Sequence, residues 1–142
     1  MLTGLGGVAA GVLIFLVVLA VAGPRSTQRT EGARFKVGPA ERLGASVARD
    51  GPLLFQDLLN RSRDIYVQHL GGDDWRAFEA HAPGAPRRCV LRWRPEDRRF
   101  LDPCDGRTFP AEGTGLTSYR TEVDEDGVVL VDLRTPVSMS MP

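Results

Sequence analysis

Hydrophobic positions follow two different patterns along the chain. Residues 2–23 form an uninterrupted run of uncharged, mostly aliphatic residues, whereas beyond residue 50 the apolar residues alternate with polar ones or form short runs between turns. At ~1.5 Å of rise per residue, the first pattern predicts a helix of about 33 Å, long enough to cross the hydrocarbon core of a lipid bilayer. The second pattern predicts a small domain of antiparallel β-strands.

A cleaved signal peptide is the alternative interpretation of the apolar run, because residues 21–23 are small. A signal peptide has a basic segment in front of a shorter apolar stretch, and no basic residue precedes this run. We therefore expect a retained, single transmembrane helix. Gly7 and Gly11 are spaced as G-x-x-x-G and are candidates for packing against another helix, although glycine is also common in membrane helices without such a role.

The charged residues after the apolar run predict an orientation. Basic residues follow the helix closely and none precedes it, so the positive-inside rule predicts that the β domain lies in the cytoplasm. These residues are Arg25, Arg29, Arg34, Lys36 and Arg42.

The chain divides into four predicted parts. Residues 1–24 are the transmembrane helix, residues 25–50 a flexible stalk without an apolar period, residues 51–135 the β domain and residues 136–142 a tail. Turn residues predict hairpins at 94–97 and 124–127, and residues 55–59 are compatible with a helical turn. The predicted strands are 53–55, 65–70, 75–80, 90–93, 99–101, 121–123 and 128–133.

Composition and motifs exclude several functions. The 18 basic and 18 acidic residues balance, with a pI near 6.7, so no attraction to nucleic acid is expected. His69, His81, Cys89 and Cys104 lack the close pairs of a structural zinc site, and nothing marks a cysteine–histidine nucleophile. Phosphate-binding, dinucleotide-binding and hydrolase motifs are missing from the sequence. No catalytic residue and no metal ligand is therefore predicted, and the histidines are expected on a strand surface and in a loop.

Two segments, 84–89 (GAPRRC) and 102–109 (DPCDGRTF), resemble the two loops of the Rieske iron–sulfur family. In that family one Cys and one His from each loop hold a two-iron cluster, and a second Cys from each loop forms a disulfide. The resemblance extends over roughly residues 50–134 and implies an all-β Rieske-like domain. It places Cys89 and Cys104 at the two bridging positions.

The same resemblance shows what the chain lacks. The four cluster-ligand positions fall on Gly84, Pro86, Asp102 and Asp105, and none of these side chains is a thiolate or an imidazole. The chain resembles a degenerate member that keeps the bridging cysteines without the ligands, so no cofactor is expected.

The resemblance implies a bond between Cys89 and Cys104. Closing a loop of about 15 residues would add roughly 3 kcal/mol of stability. The alternative is a pair of reduced, buried cysteines. A disulfide and the family both favour an extracytoplasmic domain, which opposes the charge-based orientation, so the sequence leaves the side of the membrane unresolved.

These observations predict a membrane-anchored, cluster-free accessory subunit with a membrane-protein partner, in a membrane respiratory or redox complex, and without enzymatic activity. Arg87, Arg88 and Arg107 are candidates for docking an acidic or lipid surface, unless they are simply solvated. One alternative is electron transfer, by an iron–sulfur cluster or by a redox-active Cys89–Cys104 disulfide. Another is a ligand-binding module that uses the vacated cleft between the loops.

Overall fold

The computed structural model describes residues 34–61 and 63–138. Nearly all of its regular structure is β-strand, with one helix of three turns and one of a single turn. In chain order the elements are β1 (Arg34–Pro39), α1 (Ala40–Asp50), β2 (Leu53–Asp57), α2 (Leu58–Arg61), β3 (Arg63–His69), β4 (Trp75–Glu79), β5 (Arg92–Arg94), β6 (Arg99–Leu101), β7 (Thr108–Pro110), β8 (Thr117–Val123) and β9 (Val128–Ser138).

The strands form two antiparallel sheets. The larger sheet has six strands in the order β1-β9-β8-β4-β3-β2, and the smaller has three in the order β5-β6-β7. The loop between β4 and β5 leads from the larger sheet into the smaller one, and β7 leads back to β8. The predicted antiparallel β architecture is therefore confirmed for the described residues.

The core lies on both faces of the larger sheet, as the continuous burial of β3 shows. Ile65 and Val67 point to one face, where they join a cluster covered by α1. Tyr66 points to the other face and packs against Phe78 and Phe100. Strand alternation thus supplies two apolar layers from one strand, which explains why its three central residues, Ile65, Tyr66 and Val67, are all apolar.

Phe100 of β6 is the point at which the smaller sheet packs on the larger one. Its ring lies 5.2 Å from that of Phe78, 4.9 Å from that of Tyr66 and 4.9 Å from that of Trp93, measured between ring centroids. The hydroxyl of Tyr66 also donates a hydrogen bond to the Leu91 carbonyl at 2.7 Å. These contacts fix the smaller sheet, and with it the two segments, 84–89 and 102–109, that resemble the Rieske loops.

The structure differs from the predicted stalk over residues 34–50. β1 pairs with β9 as an edge strand, and α1 packs on the core through Ala40 and Leu43, with Val47 also buried. These three residues are spaced i, i+3 and i+7, the period of an amphipathic helix. The helix ends at Gly51, which has a φ of 91° and donates its N–H to the Val47 carbonyl at 2.9 Å.

The predicted strands from residue 53 to residue 133 are found, with shifted ends. Both predicted hairpin turns are present, because β5 pairs with β6 across 94–99 and β8 pairs with β9 across 123–129. The sequence pattern does not predict β7, and β9 continues to Ser138, beyond the predicted start of the tail. The helical turn expected near residue 55 occurs later, as α2.

In the described part of the chain, no helix has the length and apolar character needed to span a bilayer. The predicted transmembrane helix, with Gly7 and Gly11, lies outside the described residues.

Candidate functional site

The site is built on two loops that flank the smaller sheet. The first runs between β4 and β5, residues 80–91, and the second between β6 and β7, residues 102–107. A disulfide between Cys89 and Cys104 joins them, with their Cα atoms 5.8 Å apart. Cys89 is completely buried, whereas Cys104 is exposed. The pairing that the family resemblance implied is therefore present, and the alternative of two reduced cysteines is not.

Backbone hydrogen bonds shape both loops. In the first, Ala85 donates its N–H to the Ala82 carbonyl and Cys89 donates to the Pro86 carbonyl. In the second, the Gly106 N–H bonds to the carbonyl of Asp102 at 2.9 Å. Gly106 has a φ of 80°, a conformation that is open to glycine at little cost, so its presence at this turn has a physical reason.

Asp102 is the most unusual residue of the second loop, because a charged side chain is 1% exposed. Its Oδ1 accepts a hydrogen bond from the Cys104 N–H at 2.8 Å and so holds the start of the turn. Its Oδ2 is buried and accepts no hydrogen bond from any described residue. One oxygen of this carboxylate and the two sulfurs lie within 4.8 Å of one another.

Arg107 ties the second loop to the first. Its Nε donates to Asp105 Oδ2 at 2.6 Å, and Nη1 and Nη2 each donate to the Pro83 carbonyl at 3.2 Å. The backbone N–H of Arg107 also donates to Asp105 Oδ1, which lowers the pKa of Asp105. Nη2 lies 3.8 Å from Oδ2 of Asp102. The loops are thus joined by an arginine as well as by the disulfide.

Arg87 has a structural role in the first loop. Its guanidinium donates to both oxygens of the buried Asp64, at 3.0 and 3.1 Å, and to Asp57 Oδ1 at 2.7 Å. The hydrogen bonds from Arg87 lower the pKa of Asp64 against the opposing effect of burial. His81 donates a hydrogen bond from its Nε2–H to the Arg87 carbonyl at 2.7 Å, and the same nitrogen lies 3.5 Å from Oδ2 of Asp64. The first loop is therefore anchored to β3.

A polar cleft of about 410 Å³ opens beside the first loop. Its floor includes Arg63 and Glu79, which form an ion pair at 2.8 Å, and both groups bond to the hydroxyl of Tyr119. Burial, together with the neighbouring carboxylate of Glu79, raises the pKa of Tyr119. Of the predicted ligand positions, Gly84 lines this cleft.

The donor chemistry of the chain does not fit a Rieske cluster. Such a cluster needs two thiolates and two imidazoles, and the chain has two cysteines and two histidines in total. Both cysteines are bonded to each other. His69 stacks on Trp75 at the larger sheet, and His81 is held by the first loop and Asp64. The residues at the four ligand positions of the resemblance have no nitrogen or sulfur donor in their side chains. They are Gly84, Pro86, Asp102 and Asp105.

The predicted docking arginines differ in their surroundings. Arg87 is engaged by Asp57 of β2 and Asp64 of β3, and Arg107 is engaged by Asp105 of the second loop. Arg88 is exposed and forms no ion pair with any residue that the structure describes. Other arginines lie nearby on the outer face of the smaller sheet. Arg92 and Arg94 are on the side of β5 opposite Trp93, and Arg99 is opposite Arg94 in the pairing of β5 with β6.

Sequence reasoning missed the polar groups that position the loops. Asp64 lies within the buried strand β3, and its partner Arg87 is 23 residues away. The one available signal is a carboxylate inside a segment that is otherwise buried, since such a group needs a cationic partner. The group of Arg63, Glu79 and Tyr119 brings together three strands and leaves no local pattern.

The described residues have the fold of a Rieske protein. The chain is similar to the crystal structure of the cyanobacterial plasma membrane Rieske protein PetC3 from Synechocystis PCC 6803, with a TM-score of 0.53 and 22% sequence identity. The match covers 68% of this chain and 97% of that one. No family model matches the sequence. The search of curated proteins likewise finds no match.

Proposed function

We propose that this protein is a membrane-anchored accessory subunit whose Rieske-like domain works without an iron–sulfur cluster. The main supporting observation is that Cys89 and Cys104 join the two loops, while the ligand positions of the resemblance hold Gly84, Pro86, Asp102 and Asp105. The scaffold is kept and the donors for a cluster are not. In this proposal the domain contributes a docking surface to a membrane respiratory or redox complex and catalyses no reaction.

The membrane location is supported by the sequence and by a relative of the fold. The apolar run of residues 2–23 has the length of a transmembrane helix. The similar solved structure is that of a plasma membrane protein. The link to a respiratory complex comes from the family resemblance, and a fold by itself does not determine function.

The docking surface proposed for this role consists of Arg88 and Arg92. Both are exposed, and neither forms an ion pair with a described residue. By contrast, Arg94 is held by Glu96 and Asp97, within its own hairpin. Arginine binds carboxylates with two parallel hydrogen bonds, so a partner with an acidic surface suits this pair best.

Purification of the full chain from membranes in a mild detergent tests the proposal. We expect a defined membrane protein to co-purify with the wild type, and to be lost from the variant Arg88→Glu/Arg92→Glu. Charge reversal places like charges against an acidic partner, which weakens the association. The association that remains should also depend less on salt concentration than that of the wild type.

The matched control is Arg120→Glu, which makes the same charge change at an exposed position on β8 of the larger sheet. It should leave co-purification unchanged. Loss of the partner from all variants alike, or retention by the double variant, would contradict docking through Arg88 and Arg92.

A redox-active disulfide is the second candidate function, and the unequal exposure of its sulfurs favours it. Cys104 is exposed and open to attack by a thiolate, whereas Cys89 is buried. A reduction potential close to that of cellular dithiols would support this role. A much lower potential would leave the disulfide as a structural bond. Visible absorption and iron content of the native protein test the cluster version, and a colourless sample without iron is expected.

A further inference from the structure

We propose that reduction of the Cys89–Cys104 disulfide creates a site for a single divalent metal ion, with Zn²⁺ as the preferred ion. The ligands are the two thiolates and the carboxylate of Asp102. This site differs from an iron–sulfur cluster in its ligands and in its metal, and it is independent of the docking surface on Arg88 and Arg92.

The three donor groups are already together. One carboxylate oxygen of Asp102 and the sulfurs of Cys89 and Cys104 all lie within 4.8 Å of one another. At Zn–S distances of about 2.3 Å, two thiolates on a tetrahedral ion are roughly 3.8 Å apart. The sulfurs must therefore separate after reduction, and the exposed side chain of Cys104 has room to rotate.

The burial of Asp102 points to a cation. Its side chain is 0% exposed, and Oδ2 is buried without a hydrogen bond from a described residue. Leaving a buried polar atom without a partner costs about 1–3 kcal/mol, and more for a charged group. The turn explains Oδ1, which accepts from the Cys104 N–H, but it does not explain why the second oxygen is buried. A metal ion bound by this carboxylate would balance its buried negative charge.

The charge of the site also fits a divalent metal ion. Two thiolates and one carboxylate give three negative charges, and a divalent ion leaves a net charge of minus one. The guanidinium of Arg107, with Nη2 at 3.8 Å from Asp102 Oδ2, offsets that charge. Sulfur ligands select Zn²⁺ over harder cations such as Mg²⁺ and Ca²⁺, and a water molecule completes the tetrahedron.

The reaction is balanced with a dithiol as reductant. The dithiol transfers two electrons and two protons to the disulfide, becomes a disulfide itself and leaves Cys89 and Cys104 as thiols. Binding of the ion then releases the two thiol protons and forms two metal–sulfur bonds and one metal–oxygen bond. In the reverse reaction an oxidised dithiol accepts two electrons from the thiolates and is reduced, which re-forms the Cys89–Cys104 disulfide and expels the ion.

The test is a titration of the purified full chain with Co²⁺, followed by competition with Zn²⁺. The protein is reduced and freed of reductant without air, and the oxidised protein is titrated in parallel. We expect the reduced protein alone to develop a thiolate-to-cobalt charge-transfer band, which Zn²⁺ removes. Bound Zn²⁺ should also slow re-formation of the disulfide by an oxidised dithiol.

Asp102→Asn identifies the third ligand, because it keeps the shape of the side chain and removes its charge. Even the loss of a group hydrogen-bonded to a ligand weakens metal binding about 10- to 100-fold, so we expect at least a tenfold weaker affinity. Asp126→Asn makes the same chemical change at an exposed position in the turn between β8 and β9, outside both loops, and should bind as the wild type does.

Three results would overturn the proposal. They are the lack of a cobalt–thiolate band in the reduced wild type, equal binding by the oxidised protein, and equal affinity of Asp102→Asn and wild type. Equal affinity of the two proteins is the result expected if the metal binds only to the thiols of an unfolded chain, without Asp102. Metal protection against reoxidation needs no variant, so a failure of Asp102→Asn to fold leaves the site testable.

Discussion

The guanidinium of Arg107 donates two hydrogen bonds to the carbonyl oxygen of Pro83, each at 3.2 Å, and so connects the two loops of the site. A backbone carbonyl holds this arginine on one side and Asp105 holds it on the other, at 2.6 Å. The contact adds a polar link to the covalent one. The loops therefore keep their mutual position through two connections of different chemistry.

Arg107→Lys should loosen the first loop without unfolding the domain. Lysine keeps the charge but lacks the planar fork that reaches Pro83 and Asp105 together. Because the arginine side chain is 44% exposed, we expect a loss of less than about 1 kcal/mol in the free energy of unfolding. Hydrogen exchange should speed up in residues 82–88. Arg94→Lys, in the hairpin of β5 and β6, is the control and should leave hydrogen exchange in residues 82–88 unchanged.

Removal of the disulfide should destabilise the domain strongly. The bond closes a loop with a sequence separation of 15, which corresponds to about 3 kcal/mol. Urea denaturation of Cys89→Ala/Cys104→Ala, compared with oxidised wild type, measures this difference. The reduced wild type without metal should fall close to the double variant. A difference below about 1 kcal/mol would show that packing and Arg107 hold the loops without the bond.

Asp64 should make the free energy of unfolding depend on pH in the acidic range. Its pKa is lowered in the folded state, chiefly by the hydrogen bonds from Arg87, from an ordinary value of 3.8. A carboxyl with a lowered folded-state pKa stabilises the fold fully above its unfolded-state pKa, and this contribution is lost as pH falls through the folded-state value. Asp57 and His81 face the same carboxylate and belong to the same network.

The measurement is the difference in unfolding free energy between wild type and Asp64→Asn. We expect the wild type to be more stable near neutral pH and the difference to shrink below about pH 4. Asp73→Asn, at an exposed turn, is the control and should show no such convergence. A difference that stays constant from neutral to acid pH would contradict the role given to Asp64.

Gly113→Ala should destabilise the protein more than Gly127→Ala. Both glycines have positive φ, 79° and 74°, where alanine is strained by about 1–2 kcal/mol. At Gly113 a Cβ would also lie 2.4 Å from Cδ1 of the buried Phe78, whereas at Gly127 it would meet nothing within 4 Å. Overpacking adds about 1–3 kcal/mol at the first position only. Thermal unfolding of the two variants compares them, and equal losses would exclude the contact with Phe78 as a cause.

Local patterns predict much of the fold. The turn at 124–127 is readable because Asp124 and Gly127 are turn residues, and the structure closes it with a hydrogen bond from the Gly127 N–H to the Asp124 carbonyl. The sequence pattern misses α1 because Gly44 and several charged residues interrupt an apolar spacing of only three residues. It misses β7 because three residues with a proline carry no period.

The site is predictable only in part. Cys89 and Cys104 are found through the resemblance of two loops, which is a property of local sequence. The burial of Asp102 follows from the packing of the smaller sheet against the larger one, and neighbouring residues do not encode it. The pairing of Arg87 with Asp64 likewise needs β3 and the first loop to meet in space. Long-range contacts of this kind leave no signal in one sequence.

The place of β1 at the edge of the larger sheet determines which fragment of the chain can be studied in isolation. A fragment that starts at residue 51 would leave the backbone N–H and C=O groups on one side of β9 unpaired, and such open edges promote aggregation. It would also remove the apolar cover that Leu43 provides for the core. A fragment for crystallisation or NMR should therefore begin before Arg34.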